Sequence, residues 1–328
     1  MRVRPLVVAL IFSSSVFSRS AGLQPCEAND SAGLTRFSSL RSVRLQADRR
    51  RPADRRSEGL QPRDAAPRRI VSLVPATTEM LFAIGAGDRL VGVSSYDRYP
   101  PEVDRLPRLG GLLDPNVERL LALRPDLAIV YDTQTELTRQ LERAGIPIFL
   151  YTHRGLPDIT ETIRSLGARA GFAQPGKALA DGIERRLDQV RTHVAGRPRP
   201  RTLLVFGRER GSLRNIDASG GYGFLHDVLE IAGGADVLSD INRQSVLMST
   251  EMVLTRAPEV IIELHYGISL KADQMAAERL VWNALASVPA VKNGRVYLLV
   301  GDEFVVPGPR IAAATERFAR TLHPEVFK

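Results

Sequence analysis

The chain builds one helix-turn-strand unit twice. Residues 118–130 read ERLLALRPDLAIV and residues 251–263 read EMVLTRAPEVIIE. Each opens on a glutamate, reaches a proline seven residues later, places an acid directly after it and continues into an apolar run. Apolar residues at helical spacing, a proline and then a β-branched run predict helix, turn and strand. In the first copy Asp114 or Asn116 is placed to cap the helix, Leu120, Leu121 and Leu123 are read as facing inward, and Pro125 marks the turn.

The same alternation runs through the sequence on either side. RIVSLVP (69–75) predicts a buried strand and then a loop, and Thr77 or Thr78 can cap a helix carrying Met80, Leu81 and Ile84. LVGVSS (90–95), LAIVY (127–131) and IPIFLY (146–151) are further strands, and YDRYPPEV follows the first of these as a loop. Strand-helix alternation signals parallel α/β architecture. Residues 174–195 break it. Ile183, Leu187, Val190 and Val194 recur at helical spacing with no strand until Thr202, which predicts one helix of about 30 Å connecting two lobes. The second lobe then repeats the plan: strand RTLLVFG (201–207), glycine-rich loop ASGGYG, helix FLHDVLEIAG, the second glutamate unit, a helix around Trp282, strand GRVYLLV (294–300), loop GDEFVVPGPR and a last helix over 311–322.

A net charge of +8 raises the question of nucleic acid. Fourteen of the 45 basic residues and 6 of the 37 acids lie in residues 1–69, which leaves 31 of each sign for the rest. A balanced body is unsuited to phosphate backbones, so no nucleic-acid partner is expected. Arg2 and Arg4, the apolar stretch Leu6 to Phe17 and the small residues Ser18, Ser20 and Ala21 read as a secretory signal over residues 1–22. Residues 23–67, rich in Arg, Ser, Asp and Pro, read as a disordered linker. Cys26 is the only cysteine, so no intrachain disulfide is possible. It follows the apolar segment as a lipid-attachment cysteine would, but Pro25 stands where such signals carry a small residue. The product is expected to be periplasmic, either free or tethered.

The sequence carries no HExxH, GxSxG or phosphate-loop pattern, and AIGAGDRL lacks the third glycine of a dinucleotide fingerprint. No nucleophile-base-acid set stands out, so neither catalysis, a resident cofactor nor a structural metal is expected. His226 reads as packing on a helix. His265, beside Tyr266, reads as a loop residue, with a metal or haem contact as the alternative. Two equivalent lobes without a catalytic set suggest a binding protein whose ligand lies between them. The helix dipole favours a carboxylate at each helix start and so explains Glu118 and Glu251 singly. It does not explain the duplication in register. Two like-placed acids on two lobes suit two like-placed basic sites on a symmetric partner.

RIVSLVPATTEMLFAIGAGDRLVGVSSYDRYPPEV, followed by NVERLLALRPDLAIVYD and a late PR dipeptide, resembles the periplasmic substrate-binding proteins of ATP-driven importers for cobalamin, haem and iron-siderophores. The resemblance spans about residues 69–328 and is nearest to the cobalamin branch. It implies the class III fold: two Rossmann-like α/β lobes, here 68–173 and 198–328, joined by a single backbone helix over 174–197. It also implies a monomer that meets the membrane only through an ABC permease dimer with its ATPase subunits. One glutamate per lobe, Glu118 and Glu251 by position, would dock on permease arginines. A cobalamin or other metal chelate would lie against Tyr96, Tyr131, Phe206, Asp302 and Phe304. The cobalamin branch carries several tryptophans in its cleft loops. Here Trp282 is the only one and reads as core, while Leu112 and Ser245 occupy loops where aromatic residues would help hold a macrocycle. Haem or a ferric siderophore is therefore the alternative ligand, with Tyr96, Tyr99 and Tyr131 facing it. An exported α/β enzyme acting on such ligands is the remaining reading.

Overall fold

Two sheets organise the chain, which a computed structural model describes over residues 66–267 and 270–327. The expected signal segment, Cys26 and all but the end of the linker lie outside the described residues. In the first sheet, β1 (Ile70–Ser72), β2 (Leu90–Val93), β3 (Leu127–Tyr131) and β4 (Ile148–Tyr151) are parallel in the order β2-β1-β3-β4. In the second, β5 (Arg201–Gly207), β9 (Val260–His265) and β10 (Val296–Val300) are parallel, and a short β7 (Ala235–Asp236) runs beside the start of β5. Two antiparallel strands, β6 (Ile216–Ser219) and β8 (Ser245–Met248), complete it in the order β10-β9-β5-β6-β8. The alternation predicts parallel strands only; β6 (IDAS) and β8 (SVLM) are antiparallel additions with no more than three consecutive apolar residues.

The helices among the described residues are α1 (Pro75–Ala83), α2 (Val117–Ala122), α3 (Thr135–Arg143), α4 (Leu156–Arg169), α5 (Ala173–Val194), α6 (Phe224–Ile231), α7 (Thr250–Arg256), α8 (Ala272–Leu280), α9 (Pro289–Lys292) and α10 (Ile311–Leu322). Pro75 does not lead into a loop; it is the first residue of α1, where its missing N–H is one a helix start leaves free. Thr77 and Thr78 therefore lie inside the first turn and do not cap it. Their hydroxyls donate back to the Val74 carbonyl at 2.9 and 3.3 Å.

The duplicated unit is built twice from the same contacts. Asn116 Oδ1 accepts from the Arg119 N–H, and Ser249 Oγ from the Met252 N–H, so each helix is capped three residues back. Each helix ends before its proline in a left-handed residue that is not glycine, Arg124 (φ 46°) and Ala257 (φ 44°). The acid after the proline is structural in both copies. The Arg69 N–H donates to Asp126 Oδ1 at 2.8 Å, and the Arg201 N–H to Glu259 Oε2 at 2.9 Å. The acids' own N–H groups donate back to the Arg69 and Arg201 carbonyls. The same two arginines reach the exposed helix ends, donating to Leu123 O at 2.6 Å and Arg256 O at 2.5 Å. One position departs from the sequence reading. Leu120 is fully buried, but Leu121 faces solvent, because a six-residue helix with one buried side needs a single inward leucine per turn.

The helix α5 joins the two sheets. Gly176, Ala180, Ile183, Leu187, Val190 and Val194 line its buried stripe at helical spacing. Arg164 of α4 pairs with Asp181 at 2.9 Å and Glu184 at 2.6 Å, and Arg186 pairs with Glu316 of α10 at 2.9 Å. One apolar core runs from the first sheet through α4 and α5 to the second, and each sheet has a separate core on its outer face. Helices α4 and α5 meet at Gly167 and Gly176, where a Cβ on Gly176 would lie 2.9 Å from the Ile163 carbonyl oxygen. Gly176→Leu is accordingly expected to cost about 1–3 kcal/mol by overpacking. It should lower the urea midpoint, and an unchanged midpoint would contradict so close a crossing.

Candidate functional site

The parallel strands of both sheets carry their loops on their carboxyl ends, where open α/β sheets place ligand crevices. On the first lobe these ends bring up Tyr96 and Asp97 after β2, Tyr131 at the end of β3, and Tyr151 and His153 at the end of β4. A row of rings follows. Tyr131 meets Tyr151 edge-on with centroids 5.7 Å apart, Tyr151 stacks on His153 at 5.6 Å, and His153 meets Phe224 at 5.8 Å. Phe224 opens α6, so the row passes from one lobe to the other. Beside it the Leu156 N–H donates to Asp227 Oδ2 at 2.8 Å, again across the lobes. These contacts join the two lobes, with Tyr151 and Phe224 buried in the central core.

A charged clamp closes one side. Arg310, in the PR dipeptide before α10, donates from Nη2 to Glu79 Oε1 at 2.6 Å and from Nε to Glu79 Oε2 at 2.9 Å. Its guanidinium lies 4.3 Å from the centre of the Tyr99 ring. Glu303 pairs with Arg310 at 3.4 Å and with Arg317 at 2.7 Å. Glu79 belongs to α1 and is nearly buried; burial pushes its carboxyl up, against the pull of Arg310. The clamp therefore fixes α1 to the residue that precedes α10 by a two-pronged ion pair.

The candidate ligand residues separate into two groups. Tyr96 is 38% exposed, its ring seated on the backbone of Gly111, and Tyr99 is 46% exposed. Tyr131 is partly buried, and burial with the nearby Asp97 charge raises its hydroxyl pKa, so the hydroxyl stays protonated. Asp302 accepts from the Gly267 N–H at 2.6 Å, and burial together with Asp217 and Asp302 holds the neighbouring Tyr266 hydroxyl protonated. Phe206 and Phe304, by contrast, are 1% and 0% exposed. Phe304 packs on Phe318, and both phenylalanines belong to the central core, so they back the cleft and present no surface to it. Trp282 is also core, and its indole N–H donates to Glu263 Oε2 at 2.8 Å. His226 pairs with Asp236 at 2.9 Å, and His265, the last residue of β9 and not a loop residue, lies 3.0 Å from Glu263, which also pairs with Arg208. Among the described residues no three His, Cys, Asp or Glu side chains converge as metal ligands.

Tyr151, His153, Asp97 and the Glu79–Arg310 pair were not singled out from the sequence. The rule that strand carboxyl ends line the crevice reaches the first three, since Tyr151 and His153 end or follow the strand read at 146–151 and Asp97 follows the strand read at 90–95. Burial pushes the His153 imidazole down to about 4, so the ring is neutral, and its Nε2 and the Tyr151 hydroxyl have no hydrogen-bond partner among the described residues. Asp97 is 3% exposed, and burial pushes its pKa up to about 7 against the pull of Thr78, Ser94 and Arg108. A carboxyl that binds its proton more tightly folded than unfolded destabilises the fold as pH rises through that window. The cost grows from about pH 4, is complete near pH 7, and amounts to at most about 4 kcal/mol. Asp97→Asn should therefore melt higher than the wild type at pH 8, with the gap closing towards pH 4; parallel melting curves across that range would contradict this. The arrangement of ring faces, neutral hydroxyls and a few carboxylates suits binding of a flat, partly polar molecule.

Glu118 and Glu251 each stand at the second position of their helix, and both are exposed. The Ser249 hydroxyl holds the Glu251 carboxyl below its ordinary value. Glu118 makes no ion pair among the described residues.

Comparison with known proteins gives one pattern. The family model described as periplasmic binding protein matches residues 70–302. An uncharacterised ABC transporter substrate-binding lipoprotein of Bacillus subtilis is 27% identical over 267 residues, covering 80% of this chain and 82% of its own. The crystal structure of a periplasmic vitamin B12 binding protein of Vibrio cholerae is similar at 27% identity and TM-score 0.68, covering 80% of this chain and 99% of that one. A periplasmic haem binding protein of Pseudomonas aeruginosa is similar at 26% identity and TM-score 0.68, covering 79% and 93%.

Proposed function

The chain belongs to the periplasmic binding protein family as a substrate-binding protein of the ABC-importer type, and from that premise we propose that it captures cobalamin or a related corrinoid in the cleft between its lobes and delivers it to a membrane permease. The observation that carries the reading is the set of aromatic and polar side chains that follow the carboxyl ends of the parallel strands. Exposed Tyr96 and Tyr99, with Tyr131 and Asp302, lie at or after strand ends in two lobes joined by α5, by the buried ring row and by the Glu79–Arg310 clamp. A flat macrocycle fits ring faces, and its amide or carboxylate edge fits hydroxyls and Arg310. The similar vitamin B12 binding protein supports the ligand class. Export to the periplasm and docking of Glu118 and Glu251 on arginines of a permease dimer complete the proposal.

The second reading is a haem or ferric chelate. The specific observation favouring it is that the one tryptophan is core, so the cleft offers tyrosines where a corrinoid pocket would gain from larger rings. Absorbance spectra of the purified protein with cobalamin, haem and a ferric catecholate separate the two. A saturable change with cobalamin alone is expected. A tyrosinate-to-iron charge-transfer band with haem or the catecholate, and no response to cobalamin, would replace the corrinoid by the iron ligand.

A further inference from the structure

We infer that each docking glutamate works with an exposed leucine one helical turn along, Glu118 with Leu121 and Glu251 with Leu254, and that this acid–leucine pair is the unit by which each lobe grips the permease. The inference rests on the docking reading above and adds an apolar half to it. The two copies agree position by position. Leu120 and Val253 are fully buried and fill the inward place of their helices. The next residue is leucine in both copies and exposed in both, Leu121 at 37% and Leu254 at 43%. Residues three apart share one face of a helix, so each leucine stands beside its glutamate. A single exposed leucine needs no explanation. Two of them, at matched places beside matched acids in a repeat whose other residues have structural tasks, do.

The pairing also supplies what the acids lack. An ion pair between fully solvated groups is weak and screened by salt. Apolar groups that exclude water around it strengthen the pair and add area of their own. The occupant that fits is a symmetric protein dimer. Each half would present a cation with an apolar hollow about one helical turn away, met once by each lobe. An anionic lipid surface would be repelled by both acids, and a second copy of this chain would bring acid against acid.

The test compares three variants of the full protein on the permease–ATPase complex in lipid discs, at about 50 mM and about 500 mM salt. They are Leu121→Ala/Leu254→Ala, Glu118→Ala/Glu251→Ala, and Leu150→Ala, which removes another leucine, 52% exposed, on β4. The leucine variant is expected to dock about tenfold or more weakly with the salt dependence of the wild type retained. The glutamate variant should dock weakly with that dependence flattened, and Leu150→Ala should dock normally. All three should melt as the wild type does. Wild-type docking by the leucine variant beside failure of the glutamate variant would overturn the leucine anchor and leave the glutamates standing. Wild-type docking by both would overturn the docking reading together with it. Equal binding to discs without the permease, or a wild-type dimer in solution that the leucine variant loses, would assign these faces to lipid or to a second copy and overturn the proposal.

Discussion

The Glu118→Ala/Glu251→Ala variant is expected to lose docking on the permease by roughly a hundredfold while folding and binding ligand as the wild type does. The expectation follows from what the fold asks of each residue in the repeat. Asn116 and Ser249 cap the two helices, and Asp126 and Glu259 pin the strands that follow. Glu118 has no such task, and Glu251 only accepts from the Ser249 hydroxyl on an exposed surface. Removing them takes charge from a solvated surface, and the caps remain. If they served only to complement the helix dipole, the outcome would reverse: a lowered melting temperature with docking unimpaired. Melts of the free protein and binding to permease in lipid discs separate the two cases.

Arg310→Ala is expected to cost a large part of the stability of the molecule. The change strands Glu79, whose side chain is 4% exposed, without the cation that faces it across the lobes. Breaking a buried pair by removing one partner costs about 3 kcal/mol or more, which for a body of this size lowers the melting temperature by about 6–10 °C. The pH dependence identifies the mechanism. Burial already raises the Glu79 pKa with Arg310 present, and removing Arg310 raises it further. A raised folded-state pKa means that stability falls as pH rises through the window above the ordinary carboxyl value. The deficit of Arg310→Ala should therefore shrink at low pH, and Glu79→Gln added to it should recover part of the loss at pH 8. A deficit independent of pH, with no recovery, would show that the guanidinium acts only by packing on Tyr99.

Much of this was legible from the sequence where local signals and tertiary packing agree. β5 was read over residues 201–207 and observed there because its apolar run is buried on both faces. The joining helix was read over 174–195 and observed over Ala173–Val194, since one apolar stripe at helical spacing admits no other element. What escaped depends on distant partners. Phe206 sits near the end of β5, where its face depends on strand register, and Phe304 closes the short turn Asp302–Phe304 after β10, whose packing on Phe318 only the fold sets. Leu121 was assigned inward by its type, although Leu120 already fills that place. The Glu79–Arg310 pair joins residues 231 positions apart in the chain and leaves no local trace.

The receptor reading is tested most directly by equilibrium dialysis of the purified protein against cobalamin, followed by release of the bound molecule and its identification by mass. One molecule should bind per chain, saturably, and return chemically unchanged after long incubation. No saturable binding of cobalamin, haem or a ferric chelate, or recovery of a modified ligand in amounts exceeding the protein, would contradict a substrate receptor and point to an enzyme that uses the same cleft.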